Sequence, residues 1–318
     1  MKKLTLILMA AMLMMTAGSC KKDKTDVAGD DNDTTTNEGV YNPKHKIYKY
    51  YYWDEYYEEQ DLHEVWNWDG KQLSSIDYPN SSYSQYFTYD HNRLSRVDYN
   101  RAYVEFQYAD GKLKKVSMYY DYELETEFTI SHGSNNKISK IECVYYDGKK
   151  SGREMFDPLG LFLPRGIAAN LESNREKRYS SRNAKDDGVE TVSITLTWDG
   201  DNVVKAYVDG YYEEGDFYET FTEDYTCYYD NKNNPKYGYM DRYFPNLSAF
   251  SKNNITKYIC TEHEMEYENG VLVEEENETY EYRFTYQYDE ANYPTVVEET
   301  HSYESGSTYT YKYFYEYQ

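Results

Sequence analysis

Residues 309–317 read Tyr-Thr-Tyr-Lys-Tyr-Phe-Tyr-Glu-Tyr, with tyrosine at every odd position and mostly polar residues between. Residues 282–288, Tyr-Arg-Phe-Thr-Tyr-Gln-Tyr, repeat this alternation on even numbers. Because successive side chains of a β-strand point to opposite faces, each stretch predicts a strand with one aromatic face and one wet face. The chain of 318 residues contains 43 Tyr, 11 Phe and 4 Trp, so it is rich in strand formers throughout.

Turn signals separate these alternating runs. Asp-Gly and Asn-Gly pairs accept positive φ angles and close tight hairpins, so neighbouring strands are expected to pair antiparallel. The pairs occupy residues 69–70, 110–111, 147–148, 199–200, 209–210 and 269–270. These breaks predict an all-β fold of roughly sixteen strands, arranged as a large antiparallel meander of hairpins.

An internal repeat lies within the first half of the meander. Residues 66–76, Trp-Asn-Trp-Asp-Gly-Lys-Gln-Leu-Ser-Ser-Ile, are echoed at 87–97 and at 106–116. The shared unit begins with two aromatic residues separated by one residue. A turn that contains Asp follows, and then Leu, with Ile or Val three residues later. Such a unit adds one hairpin at a time to a growing sheet, and it resembles the YD repeats of large bacterial shell and wall proteins.

Three segments of the second half share turn and strand signatures. They are Tyr-Tyr-Asp-Asn-Lys-Asn-Asn-Pro at 228–235, Ser-Lys-Asn-Asn-Ile-Thr at 251–256 and Tyr-Gln-Tyr-Asp-Glu-Ala-Asn-Tyr-Pro-Thr at 286–295. These segments resemble a lipoprotein family of unknown function from gut Gram-negative bacteria, which has a porin-like fold. The resemblance covers most of residues 45–318 and implies a curled sheet or a partly closed barrel, without implying any chemistry.

The consistent face of the strands is tyrosine, whose hydroxyl belongs at interfaces or in partly wet cores, whereas a lipid-facing wall needs an aliphatic band. We therefore expect one water-soluble β domain over residues 45–318. Its halves, 45–150 and 189–318, are joined by residues 151–188, which break the alternation. An apolar stretch near 156–171 predicts one short helix, which we expect to plug the concave face of the sheet.

The first residues predict export and lipidation. Two lysines precede an apolar stretch over residues 4–15 that is too short for a permanent transmembrane helix, so residues 1–19 are typical of a signal peptide. The ending Ala-Gly-Ser-Cys resembles the lipobox of bacterial lipoproteins, which implies cleavage before Cys20 and acylation of Cys20, for example with palmitate. We expect a disordered acidic tether over residues 20–44 and a lipid-anchored place in the outer membrane, facing the cell surface.

Charge and cysteine content exclude two classes of protein. Lys+Arg 34 against Asp+Glu 57 give a net charge of −23, which repels phosphate backbones, so nucleic acid is not an expected partner. Beyond Cys20 the number of cysteines is odd and cannot pair completely, so the chain is not a disulfide scaffold. One bridge can form among Cys143, Cys227 and Cys260, and the sequence does not choose it.

No motif predicts catalysis, a cofactor or a bound metal. The sequence contains no HExxH, GxSxG, GxGxxG or P-loop motif. Cys260 and His263 have the spacing of a metal-ligand pair, but residues three apart in a strand point to opposite faces and do not converge. Acidic residues are so abundant that no glycosidase-like pair stands out. We therefore expect a protein that is not an enzyme.

Binding is the better hypothesis. Tyr and Trp rings stack on sugar rings, so Trp53, Trp66 and Trp68 are candidates for holding a glycan; alternatively, they belong to the sheet's own aromatic ladder. We expect a binding or scaffolding lipoprotein whose partners are the membrane, through its lipid anchor, and a glycan or an envelope protein. The alternative hypothesis is a periplasm-facing carrier of lipid or other apolar cargo.

Overall fold

The computed structural model describes residues 45–54, 59–70, 72–91, 93–146, 189–237, 250–302 and 308–318. The strands are β1 (Ile47–Asp54), β2 (Glu59–Asp69), β3 (Gln72–Asp77), β4 (Ser84–Asp90), β5 (Arg93–Tyr99), β6 (Ala102–Ala109), β7 (Lys112–Tyr120), β8 (Glu123–His132), β9 (Ile138–Tyr145), β10 (Val189–Asp199), β11 (Asn202–Glu214), β12 (Phe217–Tyr229), β13 (Ile255–Glu268), β14 (Val271–Tyr288), β15 (Pro294–Ser302) and β16 (Thr308–Tyr317). Within these described ranges, no helix has both the length and the apolar composition needed to cross a bilayer. The predicted signal peptide, Cys20, the tether and the predicted helix near 156–171 lie outside the described residues.

The strands form one closed barrel. Every strand pairs antiparallel with its neighbours in sequence, and the first and last strands pair with each other, with Tyr50 opposite Tyr315 and Tyr52 opposite Tyr313. The Gln318 amide then donates a hydrogen bond to the carbonyl of Lys46 (2.9 Å), which extends this seam. The predicted all-β antiparallel meander is therefore confirmed. The sequence left its closure open, and pairing of β1 with β16 completes the barrel and removes both sheet edges.

Tight turns connect several hairpins at the predicted Asp-Gly and Asn-Gly pairs. Gly70, Gly111, Gly200 and Gly270 have φ angles between +53° and +76°, which L side chains rarely adopt. These angles are the ones that a two-residue hairpin turn requires, and their twist matches that of the flanking strands. The sequence therefore determines these hairpins locally.

The Asp-Gly pair at 209–210 is different, and the prediction of a turn there is wrong. Strand β11 runs through it, and Gly210 pairs with Val192 on β10 and with Phe221 on β12. A Cβ atom on Gly210 would lie within 2.6 Å of three ring carbons of Phe221. Glycine is needed here because the buried Phe221 ring lies directly over the backbone. The pair at 147–148 lies outside the described residues.

Most strands alternate between a mainly apolar inward face and a polar outward face, although the inward face also includes buried glutamates such as Glu219 and Glu223 on β12. On β10, Val192, Ile194 and Leu196 are buried, whereas Thr191 and Thr195 are exposed. The inward residues of different strands pack against one another, so this part of the interior is a filled core. The core includes Leu73, Leu94, Val97, Val104, Phe106, Val116, Phe128, Ile130, Ile141, Val208, Phe221, Tyr225, Tyr258 and Tyr282.

Inward aromatic residues bind the start of the preceding strand, among them Trp68 and Tyr89, the second aromatic residues of the first two repeat units. The indole Nε1 of Trp68 donates a hydrogen bond to the Ile47 carbonyl, and that of Trp198 donates to the Ile138 carbonyl, each at 2.7 Å. Tyrosine hydroxyls donate in the same way from Tyr89, Tyr286 and Tyr317. Each accepting carbonyl lies at the start of the preceding strand. We call this end of the barrel, where odd-numbered strands begin, the first rim.

Candidate binding pocket

A cavity of about 140 Å³ lies inside the barrel near the first rim. It lies between the inward faces of β1 and β13–β16, beneath the segment that follows β12. Its lining is mostly aromatic and apolar, with a few polar groups. The lining residues are Tyr50, Asn234, Pro235, Lys236, Asn254, Ile255, Phe284, Tyr286, Pro294, Val297, Glu299, Tyr313 and Tyr315.

Cross-strand pairing of alternating tyrosines builds the wall of this cavity. Tyr50 of β1 stacks on Tyr313, with 5.5 Å between ring centroids and 17° between ring planes, and its centroid lies 5.1 Å from that of Tyr315. Across the cavity, Phe284 and Tyr286 are successive inward residues of β14, and the Tyr286 hydroxyl donates a hydrogen bond to a β13 carbonyl at 2.6 Å. The period-two aromatic pattern of the last strands therefore produces a pocket as well as a sheet.

One carboxylate lies among these rings. Glu299 is an inward residue of β15 and only 7% exposed, with Phe284 opposite it on β14 and Tyr311 opposite it on β16. Its Oε1 lies 2.9 Å from Nε2 of His301, whose ring centroid is 4.2 Å from that of Tyr282. A carboxylate taken out of water needs hydrogen bonds or an opposite charge. Among the described residues, His301 supplies such a partner for one of its two oxygens.

The tyrosine side chains of the pocket present neutral rings. Burial, with a smaller contribution from the neighbouring Tyr315, raises the pKa of Tyr286 well above its ordinary value of 10.0. The hydroxyl therefore stays protonated at physiological pH. This leaves Glu299, deep in the pocket, and Lys236, on the segment after β12, as the charged side chains of the lining described above.

A hydrogen-bonded cap, formed by residues 230–237 and 251–254 between β12 and β13, borders the pocket. The Asp230 carboxylate accepts a hydrogen bond from the backbone amide of Asn254 (3.1 Å), and the Asn254 side-chain amide donates to the Asn233 carbonyl (3.2 Å). These residues belong to the motifs that carry the resemblance to the lipoprotein family. Here they fix the backbone of the cap, so one border of the pocket is held in place before any ligand arrives.

No protein-family model matches the sequence, and no curated protein matches it. Among solved structures, the chain is similar to a porin-like protein from Bacteroides vulgatus, with 11% sequence identity, a TM-score of 0.34, and coverage of 86% of this chain and 99% of that one. It is also similar to a porin-like protein from Bacteroides uniformis, with 11% identity, a TM-score of 0.42, and coverage of 86% and 96%. The barrel described above follows from strand pairing alone, and the resemblance to gut-bacterial lipoproteins stays a prediction.

The tryptophans predicted as glycan-stacking residues do not share one surface. Trp66 is 7% exposed and belongs to the core, and Trp68 points inward beside it, with 6.3 Å between ring centroids. Trp53 is half-buried, and its ring lies 6.5 Å from that of Phe314. The three rings therefore form no common platform, and their role toward a glycan stays a prediction.

The structure also shows where the cysteines lie and how Cys260 is oriented relative to His263. Cys143, Cys227 and Cys260 are buried free thiols, so the structure contains no bridge among these three. Burial raises the pKa of the Cys227 thiol to about 12, which makes it a poor nucleophile. Cys260 is buried inside, whereas the His263 ring is partly exposed and lies 3.0 Å from a carboxylate oxygen of Glu275. The two residues therefore do not converge on one metal.

An acidic cluster on β12 and β13 has the spacing of an oxygen-ligand cation site. Glu219, Glu264 and Glu266 each place one carboxylate oxygen within 4.8 Å of the other two. Glu219 is buried and the other two are half-buried. Each also interacts with further residues of the chain. Spacing by itself therefore assigns no metal to this cluster.

Sequence reasoning missed Glu299, although a signal for it exists. One face of β15 includes Val297, Glu299 and His301, which are two residues apart. Val297 and Glu299 are both buried. An acidic residue on the same strand face as buried apolar residues points inward. Such buried charges are rare and often functional. The abundance of exposed acids elsewhere in the chain concealed this one.

Proposed function

We propose that this protein is a non-catalytic binding protein of the bacterial outer membrane, held by a lipid on Cys20, whose barrel stands in water and takes a small ligand into its lumen. The direction of the strand faces carries this proposal. Thr129, Thr195 and Thr261 are exposed on the outer wall at mid-strand, while the residues beside them are buried inside: Phe128, Ile130, Ile194, Leu196, Cys260 and Glu262. A wall in contact with lipid has the opposite order, with an aliphatic band outside.

The lipid anchor supplies the membrane contact in this proposal. A signal peptide over residues 1–19 and acylation of Cys20 bring the chain to the membrane, and a polar tether over residues 20–44 separates the barrel from the bilayer. Each buried methylene contributes about 0.8 kcal/mol, so two or more acyl chains hold a protein stably. The net charge of −23 keeps the barrel away from anionic lipid. We assign the barrel to the cell-surface side.

The size of the cavity supports a small ligand. Its 140 Å³ is close to the volume of about 150 Å³ that accommodates benzene in an engineered protein core. Pockets for larger organic ligands begin at about 300 Å³. The aliphatic core fills the interior on the other side of the barrel, so a lipid acyl chain fits less well than a single ring or a short branched molecule.

A glycan on the outer wall is a second candidate ligand, supported by exposed tyrosines. Tyr122 is 86% exposed and Tyr86 is 59% exposed. Tyr103 and Tyr119 stack with 4.6 Å between ring centroids, and the Arg96 guanidinium lies 3.7 Å from the Tyr103 ring. Tyr122 has a φ angle of +70° because it follows Asp121 in the two-residue turn between Tyr120 and Glu123, and this turn presents its ring to solvent. Weaker retention of Tyr122→Ala on a polysaccharide column would support this candidate, and unchanged retention would exclude it.

Protease treatment of intact cells tests the proposed location. Cleavage of the barrel in intact cells is the expected result. If cleavage requires an opened outer membrane, the barrel faces the periplasm. Replacement of the first 20 residues by a cleavable secretory signal without a lipobox should release the protein in soluble form, and retention in the membrane would contradict the anchor.

Native mass spectrometry of the lipidated protein tests the pocket. We expect a co-purifying small molecule that is absent from Val297→Phe, because Val297 lines the cavity and a phenyl group fills it. Val296→Phe is the matched control, since Val296 is the next residue and pairs with the outward Phe314. A ligand that persists in Val297→Phe, while both variants keep the native far-UV spectrum, would contradict the proposed pocket.

A further inference from the structure

We propose that the lumen pocket takes a small organic cation, an ammonium group on a short apolar body, held between aromatic rings and the Glu299 carboxylate. This inference rests on the binding function proposed above and names the chemical class of its ligand. It follows from three features of the pocket: a nearly buried carboxylate, a wall of neutral aromatic rings, and a volume that limits the size of the guest.

The carboxylate supplies the charge. Glu299 is 7% exposed, and its partners across both strand ladders are the aromatic residues Phe284 and Tyr311. Phe284 has no hydrogen-bond donor in its side chain, so it cannot replace the water that the buried carboxylate has lost. His301 Nε2 binds one of its oxygens at 2.9 Å. A cation in the adjoining cavity would compensate the remaining negative charge in a low-dielectric surrounding, where such attraction is strong.

The rings supply a surface that prefers a diffuse cation. Tyr50, Tyr313 and Tyr315 line one side of the cavity, and Phe284 and Tyr286 line another. The face of an aromatic ring is electron-rich and attracts a cation within about 6 Å of its centroid. A methylated or alkylated ammonium gains most from such a surface, because its weak hydration is lost at little cost.

The remaining polar groups give the pocket a direction. Lys236 and the amides of Asn234 and Asn254 lie on the cap side, whereas Glu299 lies on the barrel side. An ammonium group is therefore favoured deep in the pocket and disfavoured near Lys236. The 140 Å³ volume fits a trimethylammonium group with a body of a few heavy atoms and excludes long chains.

Calorimetric titration tests this inference. The full lipidated chain in detergent is titrated with choline and with its neutral isostere 3,3-dimethylbutan-1-ol. The two probes have nearly the same shape, so their difference reports the charge. We expect choline to bind about tenfold more tightly or better, and Glu299→Gln to remove that preference. Glu298→Gln is the matched control, because Glu298 is the next residue, points outward and pairs with Lys312 at 2.8 Å. It should leave choline binding unchanged.

A second variant keeps the inference falsifiable if Glu299→Gln fails to fold. Lys236→Gln removes a like charge from the cap side and should tighten choline binding severalfold, whereas unchanged or weaker choline binding would contradict the proposed orientation of the ammonium group. Equal affinity for both probes, or binding of neither, would overturn the cation inference. The proposed pocket would still be judged separately by the ligand lost in Val297→Phe.

Discussion

Replacing Gly210 with alanine tests the register of the barrel wall at a closely packed point. The added Cβ would lie within 2.6 Å of three ring carbons of Phe221, whereas ordinary contacts lie between 3.4 and 4 Å. Phe221 is buried at 3% exposure, so its ring has no free space to move into. Overpacking of this severity costs about 3 kcal/mol, and alanine recovers about 1 kcal/mol relative to glycine within a strand. We therefore expect a net loss of about 2 kcal/mol in the free energy of unfolding.

Urea unfolding followed by tryptophan fluorescence measures this loss. Phe221→Leu should be destabilising by itself, because it shrinks the core, but it should tolerate Gly210→Ala with little further loss. The double-mutant cycle should therefore give a coupling energy of about 1 kcal/mol or more between the two positions. If Gly210→Ala were as stable as the wild type, the pairing of Gly210 with Phe221 would be wrong.

Three further predictions concern buried groups. Cys143, Cys227 and Cys260 have buried thiols. Iodoacetamide should therefore modify these thiols in denaturant but not in the folded protein. Burial, and to a lesser extent Lys114 and Lys112, lowers the pKa of His132 from 6.5 to about 4, so acid protonates the unfolded chain first. Stability attributable to His132 should fall by about 1 kcal/mol from pH 6.5 to pH 4, and His132→Gln should lack this component. Trp68→Phe should lose about 2 kcal/mol, because the Ile47 carbonyl loses its indole donor.

Each of these predictions has a clear contrary result. Rapid alkylation of the folded protein would show that the core opens or that a thiol is exposed. A pH dependence of stability that is identical in the wild type and in His132→Gln would show that His132 is solvated in the folded state. Unchanged stability of Trp68→Phe would show that this hydrogen bond contributes nothing. Tyr122→Phe, at an exposed hydroxyl, is a control for small changes in aromatic content.

Local patterns predicted the strands and four of the turns that connect them. Alternation located the strands, and Asp-Gly or Asn-Gly pairs located turns at Gly70, Gly111, Gly200 and Gly270. Gly210 was misread because a glycine that opens a turn and a glycine that receives a neighbouring ring look identical in one sequence. The ring that decides between them belongs to Phe221, which lies on the next strand. Such contacts depend on register, which the local pattern does not contain.

Local sequence patterns could not predict that the barrel closes or which residues line its lumen, for a related reason. Alternation shows which residues share a face, but it does not show which face turns inward. The tyrosines of β16 were visible in the sequence, yet their partner Tyr50 lies more than 250 residues earlier in the chain. The pocket, with Glu299 at its base, exists only where those distant faces meet. In the sequence, the only sign of Glu299 was that it lies two residues after Val297 and so on the same face of the strand. That sign was weak among so many acidic residues.

Labelling of single cysteines in native membranes tests the central claim, that the outer wall of the barrel stands in water. Cysteines would replace Thr129, Thr195 and Thr261, which are exposed at mid-strand, with Tyr122→Cys as a turn control and Ile130→Cys as a buried control. We expect a membrane-impermeant maleimide, applied with the outer membrane opened but without detergent, to label the three wall positions as fast as the turn position. Protection of the three wall positions until detergent is added, with the turn position labelled throughout, would contradict the account and place the wall in lipid.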